Sequence, residues 1–141
     1  MFRKIIKLLL PPIIPYLYST IFTKINNSLF DGDDLLFKKL VEEINIYGEY
    51  GCGLSTKWML KNTSSKVISV DSSREWVEKV KTKKNLYKSR LIIKHIDLGR
   101  VGSYGKPLSY IKSHNFQNYT DFIWEQTVKP KLVLIDGRFR V

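Results

Sequence analysis

Cysteine, histidine and acidic residues are all scarce in this chain. The single cysteine, Cys52, excludes an internal disulfide framework and suits a reducing compartment, so the cytoplasm is the expected location. With only His95 and His114 beside it, no zinc-spaced Cys and His set can be written. The 13 Asp and Glu stand against 24 Lys and Arg, a net charge of +11 that favours anionic partners. No interleaved basic and aromatic motif and no helix-turn-helix pattern accompanies that charge, so no specific nucleic acid is expected and much of the excess reads as solvated surface.

A long uninterrupted apolar run is missing too. Residues 1–30 carry Arg3, Lys4, Lys7 and Lys24 and no acid, but Lys7 interrupts their apolar residues and Pro11, Pro12 and Pro15 break them. A membrane-spanning helix needs about 20 apolar residues, and proline in its interior removes a hydrogen bond. No small-residue cleavage site follows that would make the start a secretory signal. The segment reads as a basic apolar arm, packed or peripheral, with contact to an anionic inner membrane face as the alternative.

What the chain does contain is enough apolar residue, 43%, for one folded domain over 31–141. It is organised around Asn45 to Thr56, Asn-Ile-Tyr-Gly-Glu-Tyr-Gly-Cys-Gly-Leu-Ser-Thr. Ile46 and Tyr47 suit a buried strand. Gly48, Gly51 and Gly53 mark places where backbone turns sharply or approaches a ligand without a Cβ between. Ser55 and Thr56 are placed to cap a helix from Thr56 to about Asn62. Strand, glycine turn and helix start together form a nucleotide-type site.

A helix is expected from Asp33 or Asp34 to about Ile44, on the helical spacing of Leu36, Leu40, Val41 and Ile44. Lys66 to Val70 predicts a second strand ending on Asp71. Ser72-Ser73-Arg74-Glu75 matches a capping box before a helix reaching toward Lys84. Leu91 to Ile96 is a third strand ending on Asp97, 98–115 an irregular loop, 118–127 a helix, and Lys131 to Ile135 a fourth strand ending on Asp136. This alternation predicts an α/β fold with a parallel sheet, whose ligands bind outside the carboxyl ends of the strands. Glu49, Asp71, Asp97 and Asp136 all fall at that end.

These residues resemble the class I S-adenosylmethionine-dependent methyltransferases. Glu49-Tyr-Gly-Cys-Gly-Leu-Ser55 is similar to their first motif, and Asp71 stands 18 residues beyond Gly53. The resemblance implies a Rossmann-like sheet of strand order 3-2-1-4 with flanking helices, incomplete relative to the family's seven strands. It implies S-adenosylmethionine as cofactor, bound by Glu49, Gly51, Cys52, Gly53, Ser55, Asp71, Ser72, Asp97 and Leu98. In it, Asp71 accepts from the ribose hydroxyls, Asp97 and Leu98 face the adenine, and Asp136 sits beside the methyl group as candidate catalytic base or substrate anchor. Arg138 and Arg140 would grip an anionic acceptor. A finer likeness to methyltransferase-like proteins of bacterial surface-polysaccharide clusters rests on Leu29-Phe30-Asp31-Gly32-Asp33-Asp34, His95-Ile-Asp97-Leu-Gly99, Tyr104-Gly-Lys-Pro107 and Ile135-Asp-Gly-Arg-Phe-Arg-Val141, and implies a sugar or glycan precursor as acceptor.

The family's strands five to seven have no sequence here, so a fragment, a completing partner chain or a homo-oligomer is expected. Two alternatives stay open: a non-catalytic cofactor-binding remnant or interaction module, and an NAD(P)-binding Rossmann oxidoreductase. The second lacks the third glycine of Gly-x-Gly-x-x-Gly, where Thr56 stands. Cys52 reads as a small residue fitted to the turn, and His95 as a structural or site-lining group.

Overall fold

The computed structural model describes residues 29–30, 33–81, 87, 89–102 and 106–136. The arm up to residue 28, the expected helix extension toward Lys84, and Arg138 and Arg140 lie outside the described residues. The chain divides into two compact units, Met1–Lys38 and Lys39–Val141.

Helix α1, Leu35–Glu42, crosses that division and stops short of the expected Ile44. In the first unit Asp33 Oδ1 accepts the Leu35 amide at 2.8 Å. Asp34 Oδ2 accepts the Leu29 amide at 3.0 Å, while Oδ1 pairs with Lys38 Nζ at 3.0 Å. Asp33 thus takes a first-turn amide, while Asp34 ties the preceding chain and Lys38 to the helix start.

The second unit alternates strand and helix: β1 (Ile46–Tyr50), α2 (Leu54–Asn62), β2 (Lys66–Asp71), α3 (Arg74–Lys81), β3 (Leu91–His95), a 3₁₀ turn (Ser113–Asn115), α4 (Phe116–Asp121) and β4 (Leu132–Ile135). The four strands form one parallel sheet in the order β3-β2-β1-β4. The order follows from handedness. Right-handed crossovers from β1 to β2 to β3 put α2 and α3 on one face, and the return from β3 across to β4 puts α4 on the other.

Register sorts the side chains. Glu49 is aligned with Ser69, and Ser69 with Ile93, so these share one face with Tyr47, Val67 and Asp71. The opposite face carries Tyr50, Ile68 and Val70, which form one apolar cluster with Ile96, Leu98, Tyr119, Phe122 and Ile123. Both faces being covered, β1 and β2 are buried almost throughout. At the far end of the sheet Arg90 closes α2: Nη1 donates to the carbonyls of Thr63 and Ser65 and Nη2 to that of Leu60, at 2.8–3.0 Å. Those carbonyls would otherwise lack partners where the helix ends.

Element ends differ from expectation for local reasons. Helix α2 begins at Leu54, two residues early, with Gly53 as its N-cap, so Ser55 and Thr56 lie inside the first turn; both donate to Glu49, and Thr56 Oγ1 also accepts the Gly53 amide. Before α3 it is Ser73 Oγ, not Ser72, that meets a helix amide, that of Trp76 at 3.4 Å. The expected helix at 118–127 is the shorter α4, preceded by the 3₁₀ turn and followed by turns.

The glycines of β1 and its turn have three different reasons. A Cβ on Gly48 would lie 2.9 Å from Pro130 Cγ and 3.2 Å from Ile123 Cγ2, so this glycine lets the β4 approach pack against β1. Gly51 has φ 93°, a conformation that L side chains rarely adopt. Gly53 is extended, and a Cβ there would meet nothing within 4 Å. Gly48→Ala is therefore expected to lower stability by about 1–3 kcal/mol, read from the urea midpoint, whereas Gly53→Ala should leave that midpoint almost unchanged.

Candidate functional site

The glycine turn is tied to the sheet from two sides. The Gly51 amide donates to the Val70 carbonyl at 2.8 Å, and the Cys52 amide donates to Asp71 Oδ2 at 2.8 Å. The other oxygen, Oδ1, accepts the Ser73 amide at 2.6 Å. One buried carboxylate at the end of β2 thereby holds both the turn after β1 and the turn into α3. Each of its oxygens keeps a second lone pair.

Glu49 is fully buried, and its carboxyl sits in a cage of hydroxyls. Ser55 Oγ donates to one oxygen and Thr56 Oγ1 to the other, and the Tyr47 hydroxyl on the same face adds to their pull. Thr56 Oγ1 in turn accepts the Gly53 amide at 2.8 Å, so a chain of bonds runs from Glu49 into the glycine turn. Burial pushes the Glu49 carboxyl up to about 7, against the opposing pull of the hydroxyls. Glu49 acts on the turn through Ser55 and Thr56, as a positioning group.

Cys52 is buried beside these acids. Burial, followed by the Asp71 and Glu49 carboxylates, raises its thiol far above the ordinary range, which suits an inert filler of the turn and not a nucleophile. Ser72, half-buried after β2, has an Oγ that is buried and without a hydrogen-bond partner among the described residues. Its carbonyl lies 3.2 Å from His95 Nε2, so the imidazole at the end of β3 supports the loop that carries Asp71.

Asp97 is placed differently. It is exposed, Oδ1 accepts the Gly99 amide at 2.9 Å, and Oδ2 pairs with Lys112 Nζ at 3.3 Å. The Gly99 amide, with help from Lys112, holds its carboxyl below the usual range. Leu98 is fully buried in the apolar cluster, so its side chain supports the sheet. Asp136 follows β4; its amide donates to the Tyr50 carbonyl at 3.0 Å, which sets it beside the end of β1, and its exposed carboxylate helps raise both Glu49 and Tyr47.

The structure thus gathers Glu49, Gly51, Cys52, Gly53, Ser55, Asp71 and Ser72 around one turn, sets Asp136 at the neighbouring strand end, and keeps Asp97 engaged with Lys112. Sequence reading passed over Tyr47, whose place two residues before Glu49 on a strand puts it on the same face. It also passed over Tyr119, buried on α4 and packed 5.7 Å, ring to ring, against Tyr50. No pattern pointed to Tyr119, which the β3 to β4 crossover brings in.

A cofactor bearing a sulfonium and an ammonium fits this donor set. The residues around the turn include two carboxyl groups and no cation, an unpartnered Ser72 hydroxyl beside Asp71, and open space at Gly53. A pyrophosphate would meet the Asp71 carboxylate instead of a cation.

No family model and no curated protein matches the chain. Among solved structures, the chain is similar to the crystal structure of a methyltransferase-like protein from Silicibacter pomeroyi DSS-3, with a TM-score of 0.62 and 29% identity over 74% of this chain. The chain spans 57% of that protein's length. Strand order, glycine turn and this likeness together give the chain a methyltransferase fold.

Proposed function

We propose that the chain binds S-adenosylmethionine across the carboxyl ends of β1, β2 and β3 and serves transfer of its methyl group to an oxygen or nitrogen of an acceptor. The observation that carries this reading is the Asp71 carboxylate, which binds the amide of the glycine turn and lies at the strand end beside the unpartnered Ser72 hydroxyl. When bound, the cofactor supplies an electrophilic methyl on a sulfonium. The protein's part is proximity and orientation.

Each residue has a stated task in this reading. Asp71, with two lone pairs to spare, accepts ribose hydroxyls in charge-assisted bonds. Gly51, Cys52 and Gly53 let the methionine part lie against backbone. Glu49 keeps that turn in place through Ser55 and Thr56. Asp97 reaches the adenine amino group once it lets go of Lys112. Asp136, exposed at the end of β4, takes the acceptor's proton or anchors the acceptor. A sugar or glycan precursor remains the proposed acceptor class, with Arg138 and Arg140 as the cationic grip on its anionic groups.

Calorimetric titration with S-adenosylhomocysteine tests the reading. Saturable binding is expected, with none for NADH under the same conditions. Binding of NADH alone would favour the oxidoreductase alternative, and cofactor binding without turnover on any acceptor would favour the remnant. Among the described residues no helix is long and apolar enough to cross a membrane.

A further inference from the structure

We propose that the loop between β3 and α4 docks on an anionic lipid bilayer, inserting Leu108, Tyr110 and Ile111 into its interfacial layer. In a segment whose Ile96 and Leu98 are buried, these three side chains are 64%, 78% and 80% exposed. They are held outward by backbone. The Leu108 amide donates to the Arg100 carbonyl and the Gly102 amide to the Lys106 carbonyl, each at 2.8 Å, around an antiparallel bridge between Val101 and Pro107. The Ser113 amide closes a turn onto the Tyr110 carbonyl at 2.9 Å, and the Tyr110 ring leans on Phe116 at 6.1 Å.

Charge selects the occupant. From residue 98 to residue 120 the chain has no Asp or Glu, while Arg100, Lys106 and Lys112 flank the apolar side chains. Asp97 and Asp121 bound that stretch, and Asp97 is paired with Lys112, so the charge offered to a leaflet comes chiefly from Arg100 and Lys106. Basic side chains beside an anionic leaflet are attracted to it, and a tyrosine with an apolar body and a polar tip suits the headgroup level. Three apolar side chains make too small a core for a stable protein interface, which buries about 800 Å² on each partner. They are enough for interfacial insertion when basic residues assist. This inference stands apart from the cofactor reading.

The test uses the full chain with Ile111→Cys labelled by an environment-sensitive nitrobenzoxadiazole dye; Cys52 is buried and stays unlabelled in the folded protein. With vesicles of equimolar phosphatidylglycerol and phosphatidylcholine, a blue-shifted and brighter emission is expected, reversed by high salt. Vesicles of phosphatidylcholine alone should leave the dye in water. In the unlabelled chain, Leu108→Ser with Tyr110→Ser should weaken binding to the anionic vesicles about tenfold, each tenfold step being about 1.4 kcal/mol. Sedimentation with vesicles while the dye stays in water would overturn the proposal, since another segment would then make the contact. So would a lack of any vesicle binding, or a blue shift without vesicles that grows with protein concentration, which would assign the loop to a second copy of the chain.

Discussion

Asp71→Asn is expected to lose at least tenfold in affinity for S-adenosylhomocysteine while the chain stays folded. The carboxylate accepts the Cys52 and Ser73 amides at 2.8 and 2.6 Å and would accept ribose hydroxyls besides. An asparagine has one oxygen in its place, so one of the two amides faces an NH₂ group and the turn shifts. Hydrogen bonds to a charged group contribute about 1.5–3 kcal/mol each, and losing one toward the ligand is worth roughly 10–100-fold. A urea denaturation curve separates the two effects. A stability loss of about 2 kcal/mol is expected from the strained turn, leaving a cooperative transition. Near wild-type affinity in a folded Asp71→Asn chain would remove Asp71 from the cofactor site. Asp71→Ala is the harsher variant, because it leaves both amides without an acceptor.

The second large effect is a pH dependence of stability set by Glu49. Its carboxyl titrates near 7 in the folded chain against an ordinary value of 4.5, with burial as the cause. Between those values the folded chain holds a proton that the unfolded chain has released, so stability must fall as pH rises from about 4.5 to 7 and level off above. The gap between 4.5 and about 7 corresponds to about 3 kcal/mol across that window. Glu49→Gln cannot ionise and keeps a side chain of similar shape among the Ser55, Thr56 and Tyr47 hydroxyls, which can donate or accept. Its stability should therefore be nearly flat across the same window and higher than wild type at pH 8. An unchanged slope in Glu49→Gln would assign the dependence to other groups.

Much of this architecture is legible in the order of residues. Alternating apolar runs and glycine turns announced four strands, each ending beside an acid, because a strand buried on both faces must be apolar until it emerges at a ligand-binding end. Asp71 could be singled out by its distance from the glycine turn. Gly51 met its expectation through a positive φ. Gly48 did not need one; its reason is the ring of Pro130, 82 residues away in sequence, which no local pattern reveals. Asp97 stands at a strand end in sequence like the other acids, but its bonds to the Gly99 amide and to Lys112 are visible only in the structure.

The polar cage shows the same division. That Ser55 and Thr56 start a helix follows from residue type. That both hydroxyls reach Glu49, Thr56 while still accepting the Gly53 amide, depends on α2 lying over that face of β1, a consequence of the right-handed crossover and not of any local preference. By itself the sequence determined the elements, their order and the acids at the strand ends, because periodicity and turn chemistry act over a few residues. Only the tertiary structure decided which acids are buried, which are bonded and which face solvent. Those properties depend on neighbours brought together from distant parts of the chain, and burial and hydrogen bonding are what set the charge and reach of a carboxylate.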